Sequence, residues 1–298
     1  MVEIRGIIPP IVTPFDGEQE VDEKRLRRHI SFLIERGVHG IFTCGSTGEF
    51  FLLTLEERKE VMEIVVDQVG GRIPVFGNIG YPGTKETIEC ARTAKDVGVD
   101  AVFCSIPYQG SPTQEGIHEH FKKIAQSVDL PVLVYNFPAA FGVNMEPETL
   151  ANLANEKLVV GLKESNRDPL QLALDVILAG DRIAILTGED DFICQALLLG
   201  AKGGILAMAN LLPDVLVRLY DAVRLGNYER ARSLQLSIIP LIKDVLVYGE
   251  TWPSGLKEAM NMSGLDVGTV RSPLLPVKEE NKAKIKQALD EYSKRKIV

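Results

Sequence analysis

The chain predicts an α/β fold, a closed (β/α)8 TIM barrel with a C-terminal helical appendage. Two observations carry the prediction. Eight short apolar runs, rich in β-branched and aromatic residues, recur between residues 7 and 208, and amphipathic stretches of helical period separate them. Near-continuous apolar strands alternating with helices describe a parallel sheet covered on both faces, and eight units spaced by roughly 25 to 30 residues close a barrel. The rival is an open doubly wound sheet, which usually carries a glycine-rich dinucleotide turn after its first strand. Here that place holds Thr13-Pro14-Phe15-Asp16-Gly17, which cradles no pyrophosphate.

The elements follow in order. The first run, 7–12, reads Ile-Ile-Pro-Pro-Ile-Val and precedes a helical stretch at 23–36. The second, 40–44, leads into a glycine-flanked turn, Gly45-Ser46-Thr47-Gly48-Glu49. A helix over 55–69 is announced by Thr54 and the acids Glu56 and Glu57, a capping residue with first-turn negative charge. Runs at 74–79 and 101–106 bracket a helix at 85–97, and a helix at 115–127 precedes the run 131–135. Runs 158–162, 183–186 and 204–208 complete the eight. After about residue 225 the strand signal stops, and 228–247, 255–263 and 278–295 are all helical in pattern. No Gly/Ser linker intervenes. Residues 1–225 are therefore assigned to the barrel, and 226–298 to helices packed on it or on a neighbouring subunit rather than to an independent domain.

Composition narrows the function. Hydrophobic residues make up 45% and charged residues 25% of the 298, the balance of an ordinary soluble globular protein. A net charge of −8 and no basic cluster argue against nucleic acid or an anionic membrane as partner. No secretory signal opens the chain and no segment has the roughly 18 to 20 apolar residues of a membrane span, so the expected location is cytoplasmic. Cys44, Cys90, Cys104 and Cys194 lie far apart without a CxxC pair, which reads as buried free thiols in a reducing compartment. His118 and His120 are two apart in a helical pattern and point to different faces. No metal site is predicted.

Lys163 carries the chemistry. It ends the apolar run 158–162, where burial disfavours its charged form and leaves a free amine. Such an amine attacks a ketone to form a Schiff base. In a barrel the active site forms at the carboxyl ends of the strands, and the other unusual polar groups collect there: Gly45-Ser46-Thr47-Gly48-Glu49, Tyr135-Asn136-Phe137-Pro138, Lys163-Glu164-Ser165 and Thr187-Gly188-Glu189-Asp190-Asp191. Tyr135 and Lys163 belong to adjacent strands, about 5 Å apart. The Ser46/Thr47 turn offers consecutive N–H groups and two hydroxyls to a small anion such as a carboxylate. Together they describe a 2-oxo acid held by its carboxylate, joined to Lys163 as an iminium, with Tyr135 moving the proton and Thr47 relaying it. No metal or organic cofactor is required.

On these motifs, with Gly6-Ile-Ile-Pro-Pro-Ile-Val-Thr-Pro-Phe15 and Gly203-Gly-Ile-Leu-Ala207, the chain resembles the dihydrodipicolinate synthase/N-acetylneuraminate lyase superfamily of Schiff-base class I aldolases over nearly its whole length. The resemblance implies Lys163 as the Schiff-base lysine, Tyr135 as proton donor and acceptor, and Thr47 as carboxylate and relay group. It also implies pyruvate bound near Gly188 and Ile205, with Ser46 and Ser165 among the substrate-binding residues, and a homotetramer. Two departures bear on the second substrate. The synthases usually carry an Arg two residues after the Pro of the tyrosine motif, where this chain has Ala140. They also usually show two consecutive tyrosines where it has Tyr108-Gln109. Gly188, Asp190 and Asp191 match positions where the lyases hold a sugar acid's hydroxylated tail, and paired carboxylates suit vicinal hydroxyls. Ala207 stands where sialic acid lyases have a tail-binding Ser. The expected activity is reversible cleavage of a 2-keto-3-deoxy sugar acid to pyruvate and an aldehyde. The alternatives are 4-hydroxy-tetrahydrodipicolinate synthase, or a dehydratase or hydratase-aldolase on a related 2-oxo acid.

Overall fold

The computed structural model describes residues 2–295, and among them eight strands. These are β1 (Gly6–Ile7), β2 (Ile41–Thr43), β3 (Val75–Asn78), β4 (Ala101–Ser105), β5 (Val132–Asn136), β6 (Gly161–Glu164), β7 (Ala184–Thr187) and β8 (Gly203–Gly204). From β2 to β8 each strand pairs in parallel with the next, and β1 pairs in parallel with β8. A parallel bridge between Pro10 and Phe42 joins the chain after β1 to β2 and closes the ring. All strand residues except Ala184 are buried, which is why the strands read as unbroken apolar runs rather than alternating ones.

The first and last strands are shorter than the runs 7–12 and 204–208. Pro9 and Pro10 have no N–H for a ladder, so the Pro9 carbonyl and the Ile11 N–H bond to Phe42 instead. After β8 the chain turns into a 3-10 helix, Ala207–Asn210, held by the Asn210 amide donating to the carbonyls of Pro10 and Ala207, each at 2.9 Å. The predicted helices form at Glu23–Glu35, Leu55–Val69, Thr84–Val97 and Gln114–Ser127. Thr54 and Glu57 make a full capping box on the second of them. Pro147–Asn155, Pro169–Ala179, Ile193–Leu199 and Pro213–Arg224 complete the outer ring, and a one-turn helix, Pro138–Phe141, follows β5.

Three helices follow the barrel, Tyr228–Tyr248, Ser254–Met262 and Glu279–Lys294. Residues 296–298 of the expected appendage lie outside the described residues. Leu234, Ile238, Leu256 and Met260 belong to one buried cluster with Ile7, Val12, Leu206 and Leu216 of the barrel. Each such side chain contributes about 1.5–3 kcal/mol when fully buried, so apolar packing ties the appendage to the barrel's closing seam. Among the described residues no helix is long and apolar enough to cross a membrane.

Candidate active site

A cavity of about 380 Å³ opens at the carboxyl ends of the strands, and Lys163, Tyr135, Ser46, Thr47 and Ser165 all line it. The barrel register brings the first two together. Tyr135 and Lys163 are direct partners across β5 and β6, and the Lys163 Nζ lies 3.9 Å from the centre of the Tyr135 ring and 5.4 Å from that of Phe42. Lys163 is 5% exposed and, among the described residues, makes no ion pair. Its amine faces aromatic surface and the cavity, with no carboxylate holding it.

Gly188 belongs to the site through the space it leaves. A Cβ there would collide with the Ser165 hydroxyl and stand 3.0 Å from Cε of Lys163, so a larger residue would push the lysine from its place. Ile205 forms part of the cavity floor, buried just after β8.

Ser46–Gly48 form a 3-10 turn after β2. A Cβ on Gly48 would come within 2.9 Å of the Ile11 carbonyl oxygen, so the turn can press this close to the chain after β1 only with glycine there. The hydroxyl within reach of the Tyr135 OH, at 3.2 Å, belongs to Ser46 and not to Thr47. The turn's twist aims the first hydroxyl at the tyrosine, while Thr47 is buried along the cavity wall.

The two predicted tail-binding acids are placed differently from each other. The Asp190 Oδ1 accepts the N–H of Met208 at 2.9 Å, so that carboxylate oxygen turns inward to the chain after β8 although the residue borders the cavity. Burial raises its pKa to about 7. The Asp191 Oδ2 pairs at 2.5 Å with Arg167, whose Nε also holds Glu189 at 2.9 Å. Burial raises the Glu189 pKa, with Arg167 opposing.

Glu189 lines the cavity as part of the run expected there after β7, whereas Arg167 was not anticipated from the sequence, nor were Ile242, Leu246 and Trp252, which line the cavity from the appendage. Arg167 was detectable in principle, as a charged residue in the loop directly after the Lys163 strand. The appendage residues carry no local signal.

Behind Tyr135 and Lys163 lies a second polar layer. The Asn136 amide donates to both oxygens of Glu164, at 3.1 and 2.8 Å, so the residues after Tyr135 and Lys163 are tied together. The Glu164 carboxylate also accepts from the Asn166 N–H at 2.6 Å and the Gln171 amide at 3.2 Å. Asp175 adjoins it, and its Oδ2 has no hydrogen-bond partner among the described residues. Burial pushes both carboxyl groups well above the usual range, and for Asp175 the neighbouring Glu164 adds to the rise.

Comparison with known proteins agrees with this architecture. The model of the dihydrodipicolinate synthetase family matches residues 3–292. A 4-hydroxy-tetrahydrodipicolinate synthase of Methanocaldococcus jannaschii is 40% identical over 286 residues, 96% of this chain and 97% of its own. The crystal structure of dihydrodipicolinate synthase from Aquifex aeolicus superposes with a TM-score of 0.93 at 34% identity, covering 97% of this chain and 98% of that one. YagE of E. coli K12, a member of the dihydrodipicolinic acid synthase family solved in complex with pyruvate, gives 0.94 at 32% identity over 97% and 98% of the two chains. The chain belongs to the dihydrodipicolinate synthetase family, and it is an enzyme, a carbon–carbon lyase of the pyruvate-dependent class I aldolase type.

Proposed function

We propose that Lys163 attacks the keto carbon of pyruvate, loses water to give an iminium, and so makes the pyruvate methyl carbon acidic. Removal of a proton from that carbon gives an enamine that adds to an aldehyde, and the reverse sequence cleaves the product. Tyr135 carries the protons, with Ser46 as its hydroxyl neighbour. The Ser46–Thr47 turn receives the pyruvate carboxylate, with Ser165 and Ile205 bounding the rest of the molecule. The observation that carries this reading is the buried Lys163 amine, facing the cavity with no carboxylate partner among the described residues. Borohydride treatment in the presence of pyruvate tests it. An irreversible mass gain located at Lys163 is expected, and its absence would overturn the assignment.

For the second substrate, the names of the curated relatives support aspartate semialdehyde, hence 4-hydroxy-tetrahydrodipicolinate synthesis, ahead of the sugar-acid cleavage expected from the sequence. One observation favours the second reading. Ala140 offers no donor, and Arg167, which besides Lys163 is the only cation lining the cavity among the described residues, already serves Glu189 and Asp191. An anionic aldehyde would need a cation that this wall does not leave free. A hydroxylated one would need the acids that it does supply. Parallel assays of pyruvate with aspartate semialdehyde and with glyceraldehyde separate the two, since turnover with only one aldehyde excludes the other reading.

We also infer a homotetramer. Leu170 and Ile177 are exposed at 65% and 72% on one helix, apolar surface that a second copy would cover. Light scattering on the purified protein checks this. The four unpaired, buried cysteines support a reducing, cytoplasmic setting.

A further inference from the structure

Glu49 ends the Ser46–Gly48 turn in the left-handed conformation, φ 57° and ψ 37°, and is fully buried. A residue with a Cβ is uncommon there and needs its surroundings to hold it. They hold it from one direction. The Glu49 Oε1 lies 2.5 Å from Nζ of Lys257, which comes from the appendage helix Ser254–Met262, and Oε2 accepts the Arg271 N–H at 2.8 Å. The same Nζ donates to the carbonyls of Thr13 and Thr269, at 2.7 and 2.8 Å, and sits 4.6 Å from the centre of the Phe15 ring. Thr13 in turn donates its hydroxyl to the Gly48 carbonyl at 2.8 Å. One buried ammonium, 1% exposed, therefore grips the turn through Glu49 and the neighbouring strand end through Thr13.

A buried ion pair adds little net stability over well-packed apolar side chains of the same volume. Packing of the helix Ser254–Met262 therefore leaves the pair unexplained. What a charged pair supplies and an apolar pair does not is a fixed direction for the carboxylate of a left-handed residue, and with it the orientation of the peptide groups just before it.

We propose that Lys257 is a positioning residue of the pyruvate site. Through Glu49 the appendage sets the turn that receives the pyruvate carboxylate. The inference rests on the reading of Ser46 and Thr47 as that carboxylate site. Lys163 and Tyr135 stand on strands that Lys257 does not touch, so the chemistry of adduct formation survives its loss while pyruvate is held less well.

The test is the pyruvate concentration that half-saturates borohydride labelling of Lys163 in the full chain, measured for wild type, Lys257→Met and the double variant Lys257→Met with Glu49→Gln. Loss of the ammonium raises that concentration about 10- to 100-fold, the scale of a misplacement near 1 Å, while labelling still reaches completion at saturation. The single variant also melts at a lower temperature because it orphans the Glu49 charge. The double variant removes both charges, recovers melting temperature, and keeps the raised pyruvate requirement. It decides the matter even where the single variant does not fold. A double variant with the wild-type half-saturating concentration reduces the pair to a structural one and overturns this inference alone. Wild-type protein that takes no label overturns the Schiff-base reading with it.

Discussion

The two sides of the cavity are built by different means. Lys163 and Tyr135 stand on neighbouring strands in direct register, and the layer behind them comes from adjacent β5, β6 and the helix Pro169–Ala179. The Ser46–Thr47 turn stands on a loop, and what fixes it comes from the far end of the chain, Lys257 and Arg271. Each side has a buried carboxylate close behind its working groups. Glu49 is balanced by an ammonium, and burial lowers the Lys257 pKa only to about 8 with Glu49 opposing the fall. Glu164 has amides and a second carboxyl for company, so a proton must do what Lys257 does elsewhere. The strand side is local and shares protons between carboxyl groups, and the turn side is long-range and held by an ion pair.

The largest effect expected tests whether that division also separates chemistry from binding. Tyr135→Phe removes the proposed proton carrier and leaves the amine and the turn, so turnover falls about 10²- to 10⁴-fold while pyruvate is still trapped slowly at Lys163. Loss of trapping at saturating pyruvate would mean that the two sides do not act separately. Next in size is Glu49→Gln. It leaves the Lys257 ammonium buried without its counter-charge, and urea unfolding should show a loss of about 3–5 kcal/mol. A loss below about 1 kcal/mol would show that the appendage does not clamp the turn.

A smaller effect separates the two carboxylates by pH. Raised pKa values mean that folded Glu164 and Asp175 hold protons which the unfolded chain releases above about pH 4. The folded state then binds more protons than the unfolded one, so this pair's contribution to stability falls as pH rises from there until the pair has titrated. Asp175→Asn removes one such group. Relative to wild type the variant should gain stability with rising pH, by at most about 1.4 kcal/mol per pH unit for one proton. Unfolding in urea at pH 5, 6.5 and 8 measures it. A difference that stays constant across the range would mean that no proton is shared.

The same division decides what could be read from the chain. β5 and β6 were legible because apolar runs ending in Tyr135 and Lys163 are consecutive parallel strands, whose neighbours in a barrel follow from sequence order. The helix Leu55–Val69 was legible to the residue because Thr54 and Glu57 cap it locally. The ends of β1 and β8 were not, because the pairing of Pro10 with Phe42 and the bonds of Asn210 join segments far apart in the chain. Nor was Lys257. In sequence it is one lysine of an amphipathic helix, and only tertiary packing turns it inward to Glu49. Ser46 in place of Thr47 beside Tyr135 is a matter of the turn's twist, which residue type alone does not fix.

The smallest expected effect concerns the acids that sequence treated as a pair. Asp190 gives an oxygen to the Met208 N–H, so Asp190→Asn can keep that acceptor. Asp191 reaches Arg167 across the cavity mouth, in an ion pair whose side chains are 62% and 37% exposed. Such exposed pairs are worth about 0.2–1 kcal/mol. Asp191→Asn should therefore leave fold stability nearly unchanged. If the acid contributes to the aldehyde side of the cavity, its loss shifts KM for the preferred aldehyde by less than about fivefold, since 1.4 kcal/mol corresponds to tenfold. KM for pyruvate, which the proposed site holds on the opposite side, stays where it was. A larger rise for pyruvate than for the aldehyde would put the pyruvate carboxylate beside Arg167 instead of the Ser46–Thr47 turn, and the two sides would exchange their roles.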